Sequence, residues 1–295
     1  MLSAACGGGG SESGEFTSLS YNVAGLPQEI SQVNPEEHIP LISPLLNDYD
    51  LVLTQEDFDW WMPVLDSIDF AMYHTRLRAQ VDYPYQSERH PGPEAVGIDV
   101  ATERPALYVG DGLGLLSRFP FDEFRRVPWQ MCGAGAADCL AIKGFAMARV
   151  ELAPGVIIDV YDLHADAGSG DDDNAARAAG FDELAAYIEA NSAGNAVILG
   201  GDTNLHTDPE SDDPDDREDA RVWEAFLART GLIDVCDALD CTEPDRIDKF
   251  AFRGEGGIDI EPLTWIFEVD KFRDAAGEPL SDHDALAVSW RWTTE

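Results

Sequence analysis

The sequence predicts an α/β protein, because short apolar runs typical of strands alternate along the chain with longer helix-like stretches. The length of 295 residues is enough for one large domain with a full core. No internal repeat and no linker divides the chain after residue 15. We therefore expect a single domain over residues 16–295, preceded by a flexible Gly/Ser-rich tether over residues 1–15.

Strands are predicted where short apolar runs lie between turn residues. They are Ser18–Val23, Leu51–Gln55, Gly114–Ser117, Phe145–Glu151, Val156–Leu163, Ala196–Gly200, Asp248–Phe252, Leu263–Phe267 and Leu286–Trp290. Among the predicted helices, Pro35–Leu46 begins with a proline, which the first helical turn tolerates. Ala175–Asn191 carries an apolar face at helical spacing, and a third helix is predicted over Ala220–Thr230.

The segment from Met72 to Ala106 is rich in turn residues and lacks clear periodicity. It is also the most basic region of the chain, with His74, Arg76, Arg78, Arg89, His90 and Arg104. Long loops of this kind often reach over a functional site. We expect either such a functional loop or an extended surface loop whose arginines pair with the surrounding acids.

The chain is very acidic, with 57 Asp and Glu against 19 Lys and Arg and a formal net charge of −38. This charge repels phosphate backbones, which counts against general binding of nucleic acid. The 44% hydrophobic content argues against disorder, and no apolar run approaches the ~20 residues that span a bilayer. Most acids are interpreted as a hydrated surface. Calcium binding by Asp208–Asp219 is the alternative, although that segment lacks the spacing of an EF-hand loop.

Cysteine placement predicts an exported protein. Cys6 follows small residues and precedes a Gly/Ser-rich stretch, as at the cleavage site of a bacterial lipoprotein, but no charged and apolar leader precedes it. We expect an extracellular or cell-envelope protein with a lipid anchor on Cys6, and a fortuitous flexible tail is the alternative.

The other four cysteines are disulfide candidates, and they lie in two close pairs, Cys132 with Cys139 and Cys236 with Cys241. Four cysteines allow three pairings, among which the sequence alone cannot choose. We expect two local disulfides, which are compatible with export. Free buried thiols and a zinc site are the alternatives.

Polar residues stand at the ends of several predicted strands. In chain order they are Asn22, Glu56, His164, Asp202, Asn204, Asp282 and His283. Their carboxylate and amide oxygens suit a hard divalent cation such as Mg²⁺. Cleavage of a phosphate ester needs a metal to polarise the phosphoryl oxygens, a base to deprotonate water, and donors for the developing charge. The set therefore predicts metal-dependent hydrolysis of a phosphate ester.

The order of these motifs resembles that of the endonuclease/exonuclease/phosphatase superfamily, which includes pancreatic-type deoxyribonucleases and neutral sphingomyelinases. The resemblance extends from about Phe16 to Trp292. It implies the DNase I-like fold, a four-layered α/β sandwich of two mixed β-sheets packed face to face with helices outside. It also implies a phosphoric ester hydrolase that uses Mg²⁺, or Mn²⁺ or Ca²⁺ in its place.

The same resemblance assigns a role to each residue of the metal site. Glu56 becomes the principal Mg²⁺ ligand, with Asn22 beside it and Asp282 completing the site. Asp202 and Asn204 bind the phosphate or a second metal ion and position the nucleophile.

Three further residues receive catalytic roles from the resemblance. His283 becomes the general base that activates water, Asp248 orients it, and His164 donates to the phosphoryl oxygens. Lys249 stands where the family usually has an aromatic residue after the aspartate, so this chain departs from the family pattern there.

Three segments resemble the bacterial sphingomyelinase-like branch of the family. They are Tyr83–Gln86, Asp111–Pro120 and Cys132–Phe145. The chain departs from that branch at Ile142, which replaces an asparagine, and at Asp166, which replaces a glutamine. An acidic rim would not repel a phosphodiester lipid with a cationic choline group, whereas a nuclease needs basic residues along its phosphate path.

We therefore predict a monomeric phosphodiesterase of phospholipase C type that acts on a phosphodiester such as a choline phospholipid at a membrane surface. Nucleic acid is the less favoured partner. Trp129, Met131, Trp265, Ile266 and Phe267 are candidates for contact with lipid, and packing in the core is the alternative. A nuclease or a small-molecule or inositol phosphatase on the same centre is the alternative function. A non-catalytic cation-binding lipoprotein is a further alternative.

Overall fold

Two mixed β-sheets pack against each other in the computed structural model, which describes residues 11–28, 31–61, 70–99, 107–133, 138–208, 211–243 and 246–295. Within these residues each sheet has six strands. The predicted fold class, an α/β sandwich of two mixed sheets with helices outside, is confirmed. The limits of the predicted elements differ in several places.

The first sheet has a parallel pair of strands at its centre. It is formed by β1 (Ser13–Asn22), β2 (Leu51–Gln55), β3 (Tyr85–Gln86), β4 (Gly114–Ser117), β11 (Ile258–Phe267) and β12 (Leu286–Thr294). These strands lie in the order β11-β12-β1-β2-β4-β3. β1 and β2 are parallel, and each is flanked by an antiparallel neighbour.

The second sheet repeats this arrangement. It is formed by β5 (Arg125–Pro128), β6 (Gly144–Ala153), β7 (Val156–His164), β8 (Val197–Asp202), β9 (Ile233–Asp234) and β10 (Asp248–Arg253). These strands lie in the order β5-β6-β7-β8-β10-β9, with β7 and β8 as the parallel pair. Each sheet therefore brings the carboxyl ends of two neighbouring strands to one edge.

Apolar side chains from both sheets form the core between them. Leu53 of β2 and Leu115 of β4 belong to the same cluster as Val160 of β7 and Ile198 of β8, and all four are buried. Trp290 of β12 lies in this cluster and donates from Nε1 to Ser18 Oγ at 2.8 Å. Burial of this apolar surface is the main force that holds the two sheets together.

Helices cover the outer face of each sheet. They are α1 (Pro35–Leu45), α2 (Phe70–Leu77), α3 (Asp171–Asn191), α4 (Pro214–Thr230) and the short α5 (Val235–Ala238). Ile39 of α1 packs against Val52 in the first sheet, and Phe181 of α3 packs with Leu199 in the second. The order of layers is therefore helix, sheet, sheet, helix.

Several predicted limits are corrected by the structure. β1 begins at Ser13, so residues 13–15 pair with β12 although they were assigned to the tether. α3 begins at Asp171 and α4 at Pro214, because acidic first turns and a proline at the first position suit a helix N-terminus. The acidic segment Asp208–Asp219 is therefore partly helical.

The segment Met72–Ala106 is not the irregular loop that was predicted, since it begins within α2 and contains β3. Several of its basic side chains bind acidic residues or the backbone of the protein. Arg78 and His74 bind Asp57, and Arg89 donates to the Asp59 carbonyl oxygen at 2.7 Å. These contacts match the alternative of paired arginines. Arg104 lies outside the described residues.

Both predicted disulfides, Cys132–Cys139 and Cys236–Cys241, are present. Cys6 lies outside the described residues. None of the helices that the structure describes combines the length and apolar character needed to cross a bilayer.

The candidate lipid-contact residues divide into two groups. Met131 and Ile266 are 43% and 49% exposed, whereas Trp129 and Phe267 are buried and so are not available for lipid contact. Trp265 is half-buried against the core between the sheets. The core interpretation is therefore correct for Trp129 and Phe267.

Candidate active site

The predicted site residues meet at one edge of the sandwich, where both parallel pairs of strands end. β1 ends at Asn22, Glu56 follows β2, β7 ends at His164, and β8 ends at Asp202. The antiparallel strands β10 and β12 begin at the same edge, because Asp248 pairs with Asp202 and Leu286 with Ser20. The topology therefore gathers residues that are distant in the sequence.

Asn22 connects the two sheets at this edge. Its Nδ2 donates to Glu56 Oε1 at 3.3 Å and to Asp202 Oδ2 at 3.1 Å. The Ala24 amide donates to Asn22 Oδ1 at 3.0 Å, which fixes the orientation of the side-chain amide. Burial raises the pKa of the Glu56 carboxyl, although the Lys143 ammonium acts in the opposite direction.

The backbone at Glu56 adopts a left-handed conformation with a φ of 55°. Few residues other than glycine adopt this conformation without strain. Two glycines pack closely against this backbone. A Cβ atom at Gly112 would lie 2.9 Å from the Glu56 Cα, and one at Gly25 would clash with the Glu56 carbonyl oxygen. Both positions therefore require glycine for Glu56 to keep its place.

His283 and Asp248 form a hydrogen-bonded pair. His283 Nδ1 lies 2.7 Å from Asp248 Oδ2, and its Nε2 lies 3.5 Å from Asn22 Nδ2 and 3.8 Å from Asp202 Oδ2. Ser281 holds this loop in place, since its Oγ donates to the Asn22 carbonyl oxygen at 2.7 Å and accepts from the His283 amide at 3.2 Å.

The carboxylates around His283 favour its charged form. Burial lowers the pKa of His283, but the charges of Asp248 and Asp202 outweigh this and raise the pKa well above its usual value. His164 differs, because burial and the charges of Lys143 and His283 lower its pKa well below the usual value. The site therefore contains a strongly basic histidine and a neutral one.

Asp202 is at the centre of the polar contacts. Its Oδ1 accepts from the Asn204 amide at 3.0 Å, and its Oδ2 lies 3.3 Å from His164 Nε2. Burial raises the pKa of Asp202. Asn204 donates from Nδ2 to the Ala165 carbonyl oxygen at 3.1 Å, which ties the loop after β8 to the loop after β7.

The predicted metal ligands are not equally placed. Asp282 is exposed at the rim, where its charge raises the pKa of both Glu56 and His283. Asp202, Asp248 and His283 each offer one ligand atom, and these atoms lie within 4.8 Å of one another.

The donor set fits a hard divalent cation. The carboxylates of Asp202 and Asp248 lie close together, and Glu56 shares the Asn22 amide with Asp202. Asp248 Oδ1 is buried without a hydrogen-bond partner among the described residues. Such a cluster is costly unless a cation compensates it. The Lys143 ammonium acts on Glu56 and Asp202, but it already pairs with Asp138 at 2.5 Å.

Lys143 is the main site neighbour to which no role was assigned from the sequence. It is buried, and its Nζ donates to the Ala165 carbonyl oxygen at 3.2 Å. The sequence of the segment Cys132–Phe145, which contains Lys143, indicated only a resemblance to the bacterial sphingomyelinase-like branch. Lys249 stands where the family usually has an aromatic residue. It is buried and donates to Thr207 Oγ1 at 2.8 Å.

Comparison with known proteins identifies the family. Residues 19–283 match the Endonuclease/Exonuclease/phosphatase family. The chain belongs to this family. This match confirms the predicted family. At the level of the family, it also confirms the predicted enzyme class, a phosphoric ester hydrolase.

Relatives of known structure or function share most of the chain. A sphingomyelinase from Mycobacterium tuberculosis is 31% identical over 299 residues, which cover 96% of this chain and 54% of that protein. The chain thus spans about half the length of the curated relatives it matches. Sphingomyelinase C from Streptomyces griseocarneus has a TM-score of 0.61 at 19% identity, covering 94% of this chain and 99% of that chain.

A variant of the beta toxin from Staphylococcus aureus, solved with bound magnesium ions, also has a TM-score of 0.61. It is 17% identical and covers 93% of this chain and 99% of that chain. At these identities the two structures establish a shared fold. The roles of individual site residues stay predictions.

Proposed function

We propose that the chain is an exported, Mg²⁺-dependent phosphodiesterase of the sphingomyelinase type, which cleaves on the side of the phosphate that releases a lipid alcohol. The observation that carries the proposal is the His283–Asp248 pair at 2.7 Å, in which the other ring nitrogen, Nε2, faces Asp202 and Asn22. The 31% identity to a mycobacterial sphingomyelinase across 96% of this chain supports the substrate class.

The residues of the site would divide the reaction between them. When bound, a divalent cation polarises the phosphoryl oxygens and stabilises the leaving oxygen, and Mn²⁺ or Ca²⁺ could replace Mg²⁺ in this role. Glu56, Asn22 and Asp202 would hold the cation, with Asp282 at the rim. Asn204 would help Asp202 to position the nucleophile.

His283 would act as the general base. Asp248 accepts a hydrogen bond from Nδ1 and so directs Nε2 into the site. A bound cation would offset the carboxylate charges that raise the pKa of His283, and the neutral imidazole could then take a proton at Nε2 from the attacking water. The Asp248 carboxylate then stabilises the imidazolium that forms. Neutral His164 would donate from Nε2 to a phosphoryl oxygen as negative charge develops there.

The charge of the chain supports a lipid substrate over nucleic acid. A net charge of −38 disfavours a polyanion but does not repel a zwitterionic choline phospholipid. The exposed side chains of Met131 and Ile266 are available for contact with a membrane surface. We propose that the protein acts there as a monomer.

Export to the extracellular space or cell envelope is supported by the two disulfides, since these persist in oxidising compartments. We propose a lipid anchor on Cys6. Metabolic labelling with palmitate in an expressing bacterium would mark wild type but not Cys6→Ser. Equal labelling of both would refute the anchor.

The proposed activity is tested by offering sphingomyelin, phosphatidylcholine, plasmid DNA and inositol phosphates to wild type and His283→Ala, with Mg²⁺ and with EDTA. We expect wild type to hydrolyse sphingomyelin with Mg²⁺, to stop in EDTA, and to recover when Mg²⁺ is restored. Nicking of DNA without lipid turnover would favour a nuclease. Binding of cations without any hydrolysis would favour a non-catalytic protein.

A further inference from the structure

A hydrogen bond between two buried polar side chains crosses the core directly behind the site. Gln55 Nε2 donates to Asp162 Oδ1 at 2.6 Å, and both residues are 0% exposed. Gln55 is the last residue of β2, and Asp162 lies in β7. The bond therefore joins the first sheet to the second.

On the first sheet, this bond holds the strand ends that carry two proposed metal ligands. Gln55 immediately precedes Glu56, and it pairs in register with Asn22 at the end of β1. Ser20 Oγ lies 3.5 Å from Gln55 Oε1, at the limit of a hydrogen bond. A shift of Gln55 would move Glu56 and Asn22 with it.

On the second sheet, the bond holds the strand ends that carry the phosphate-facing residues. Asp162 lies two residues before His164, so both side chains point to the same face of β7. β7 pairs with β8 in a register that sets His164 opposite Asp202. The two halves of the site are thus linked through one contact below them.

The left-handed backbone of Glu56 needs fixed neighbours on both sides, and the bond between Gln55 and Asp162 fixes one of them. A left-handed φ at a residue other than glycine persists only where its surroundings enforce it. On the far side, Asp57 is fixed by Arg78 at 2.6 Å and by its own amide, which donates to the Gly112 carbonyl oxygen at 2.9 Å. Before Glu56 in the chain, Gln55 is fixed in the same way by its hydrogen bond to Asp162.

Apolar side chains would fill the same space at less cost. Leu53 and Val160, two residues before Gln55 and Asp162, belong to the apolar core between the sheets. Burial raises the pKa of Asp162 well above its usual value and so favours the uncharged form of this acid. A polar pair in such a place contributes more to defined geometry than to stability.

We propose that Gln55 and Asp162 are positioning residues, whose hydrogen bond sets the distance between the Asn22–Glu56 half of the site and the His164–Asp202 half. The bond thereby sets the affinity of the site for a divalent cation. The catalytic consequence rests on the proposed function, whereas the effect on cation affinity does not.

The test measures the dissociation constant of Mn²⁺ by isothermal titration on the full chain. Asp162→Leu and Gln55→Met each remove the bond with little change in volume, and each should weaken Mn²⁺ binding roughly tenfold. The double variant should bind about as weakly as either single variant, because both lose the same bond. Asp162→Asn keeps the carbonyl acceptor and should bind like wild type.

Asp159→Leu is the matched control. Asp159 is another buried acid of β7, but it bonds to Asn195 Nδ2 at 2.9 Å, nearer the start of the strand. This variant should lower the Tm and leave the Mn²⁺ dissociation constant unchanged. A purely structural role for Asp162 would give the same result for Asp162→Leu.

Wild-type Mn²⁺ affinity in folded Asp162→Leu or Gln55→Met would overturn the proposal. If Asp162→Leu does not fold, Gln55→Met and Asp162→Asn decide the question. A wild type that binds Mn²⁺ but hydrolyses no phosphodiester would refute the proposed function, and a tenfold loss of affinity in the variants would still support the positioning role.

Discussion

Two of the histidine–aspartate pairs in this molecule, His283 with Asp248 and His74 with Asp57, have surroundings that differ in charge. His283 Nδ1 lies 2.7 Å from Asp248, and His74 Nδ1 lies 2.9 Å from Asp57. Asp57 also binds Arg78 at 2.6 Å, so that pair is neutralised within the protein. The His283 pair faces the carboxylates of Asp202 and Asp282, and among the described residues no arginine forms an ion pair with Asp248.

Adjacent residues show the consequence of this difference. Burial raises the pKa of both Glu56 and Asp57, but Arg78 and His74 more than reverse the effect at Asp57 and lower its pKa. At Glu56 the raised pKa remains. Arg78 and His74 thus compensate the charge of Asp57, whereas the protein supplies too little positive charge to compensate Glu56. The second arrangement suits a bound metal ion.

The largest expected effect comes from removing each histidine. His283→Ala should lower the kcat for sphingomyelin about 10²–10⁴-fold, because the general base is lost. His74→Ala should leave kcat near the wild-type value and destabilise the fold by about 1–3 kcal/mol, since it strips a buried carboxylate of a partner. Steady-state kinetics and urea unfolding measure the two effects. An equal loss of kcat in both variants would contradict the assignment of a catalytic role to His283 and a structural role to His74.

A second test breaks the compensated pair. Asp57→Asn should destabilise the protein by about 3 kcal/mol, because Arg78 is left without its buried counter-ion. Glu189→Gln is the control, since Glu189 forms an exposed ion pair with Arg229 at 2.8 Å and its loss should not change the urea midpoint measurably. Equal urea midpoints for both variants would show that the buried ion pair of Asp57 contributes no more to stability than the exposed pair of Glu189.

The stability difference between Asp57→Asn and wild type should depend on pH. Because the folded pKa of Asp57 is lowered, its contribution is present above the unfolded pKa of about 3.9 and is lost as the pH falls towards the folded value. Asp57→Asn should therefore differ most from wild type near neutral pH and converge with it in acid. A difference that is constant from pH 7 to pH 2 would contradict the ionic origin.

The smallest expected effect has the opposite sign. Glu56→Gln should stabilise the metal-free protein by about 1 kcal/mol at pH 7, since it removes a partly buried charge that the site needs only for function. The raised folded pKa means that this cost exists above the unfolded pKa of about 4.3 and disappears in acid. Urea unfolding in EDTA at pH 7 and pH 3 measures it, and a destabilised variant at pH 7 would refute the assignment.

Asn22, Glu56 and Asp202 could be predicted as site residues because each lies at the end of a predicted strand and carries an oxygen that suits a cation. The structure shows why they meet, since β1 with β2 and β7 with β8 are parallel pairs that end at the same edge of the sandwich. The limits of β2 and β4 were predicted correctly, since both are short strands that contain a run of apolar residues and are buried along their whole length. The order of the motifs also indicated the family and the pairing of His283 with Asp248.

Other features depend on contacts between distant residues, which no local pattern records. α2 was missed because its buried residues pack against α1 and form too short a stretch to show helical periodicity. The charge balance at Asp57 depends on Arg78, 21 residues away in sequence. Gln55 and Asp162 are 107 residues apart, and neither residue alone indicates that the two side chains meet.

The Tm measured with and without Mg²⁺ for wild type, Glu56→Gln and Asp57→Asn tests the difference between the two regions most directly. A cation at 100 times its dissociation constant stabilises the folded state by about 2.7 kcal/mol. Wild type and Asp57→Asn should both gain Tm on addition of Mg²⁺, whereas Glu56→Gln should start higher and gain little. A gain in Glu56→Gln equal to that of wild type would contradict the assignment of Glu56 as the cation ligand.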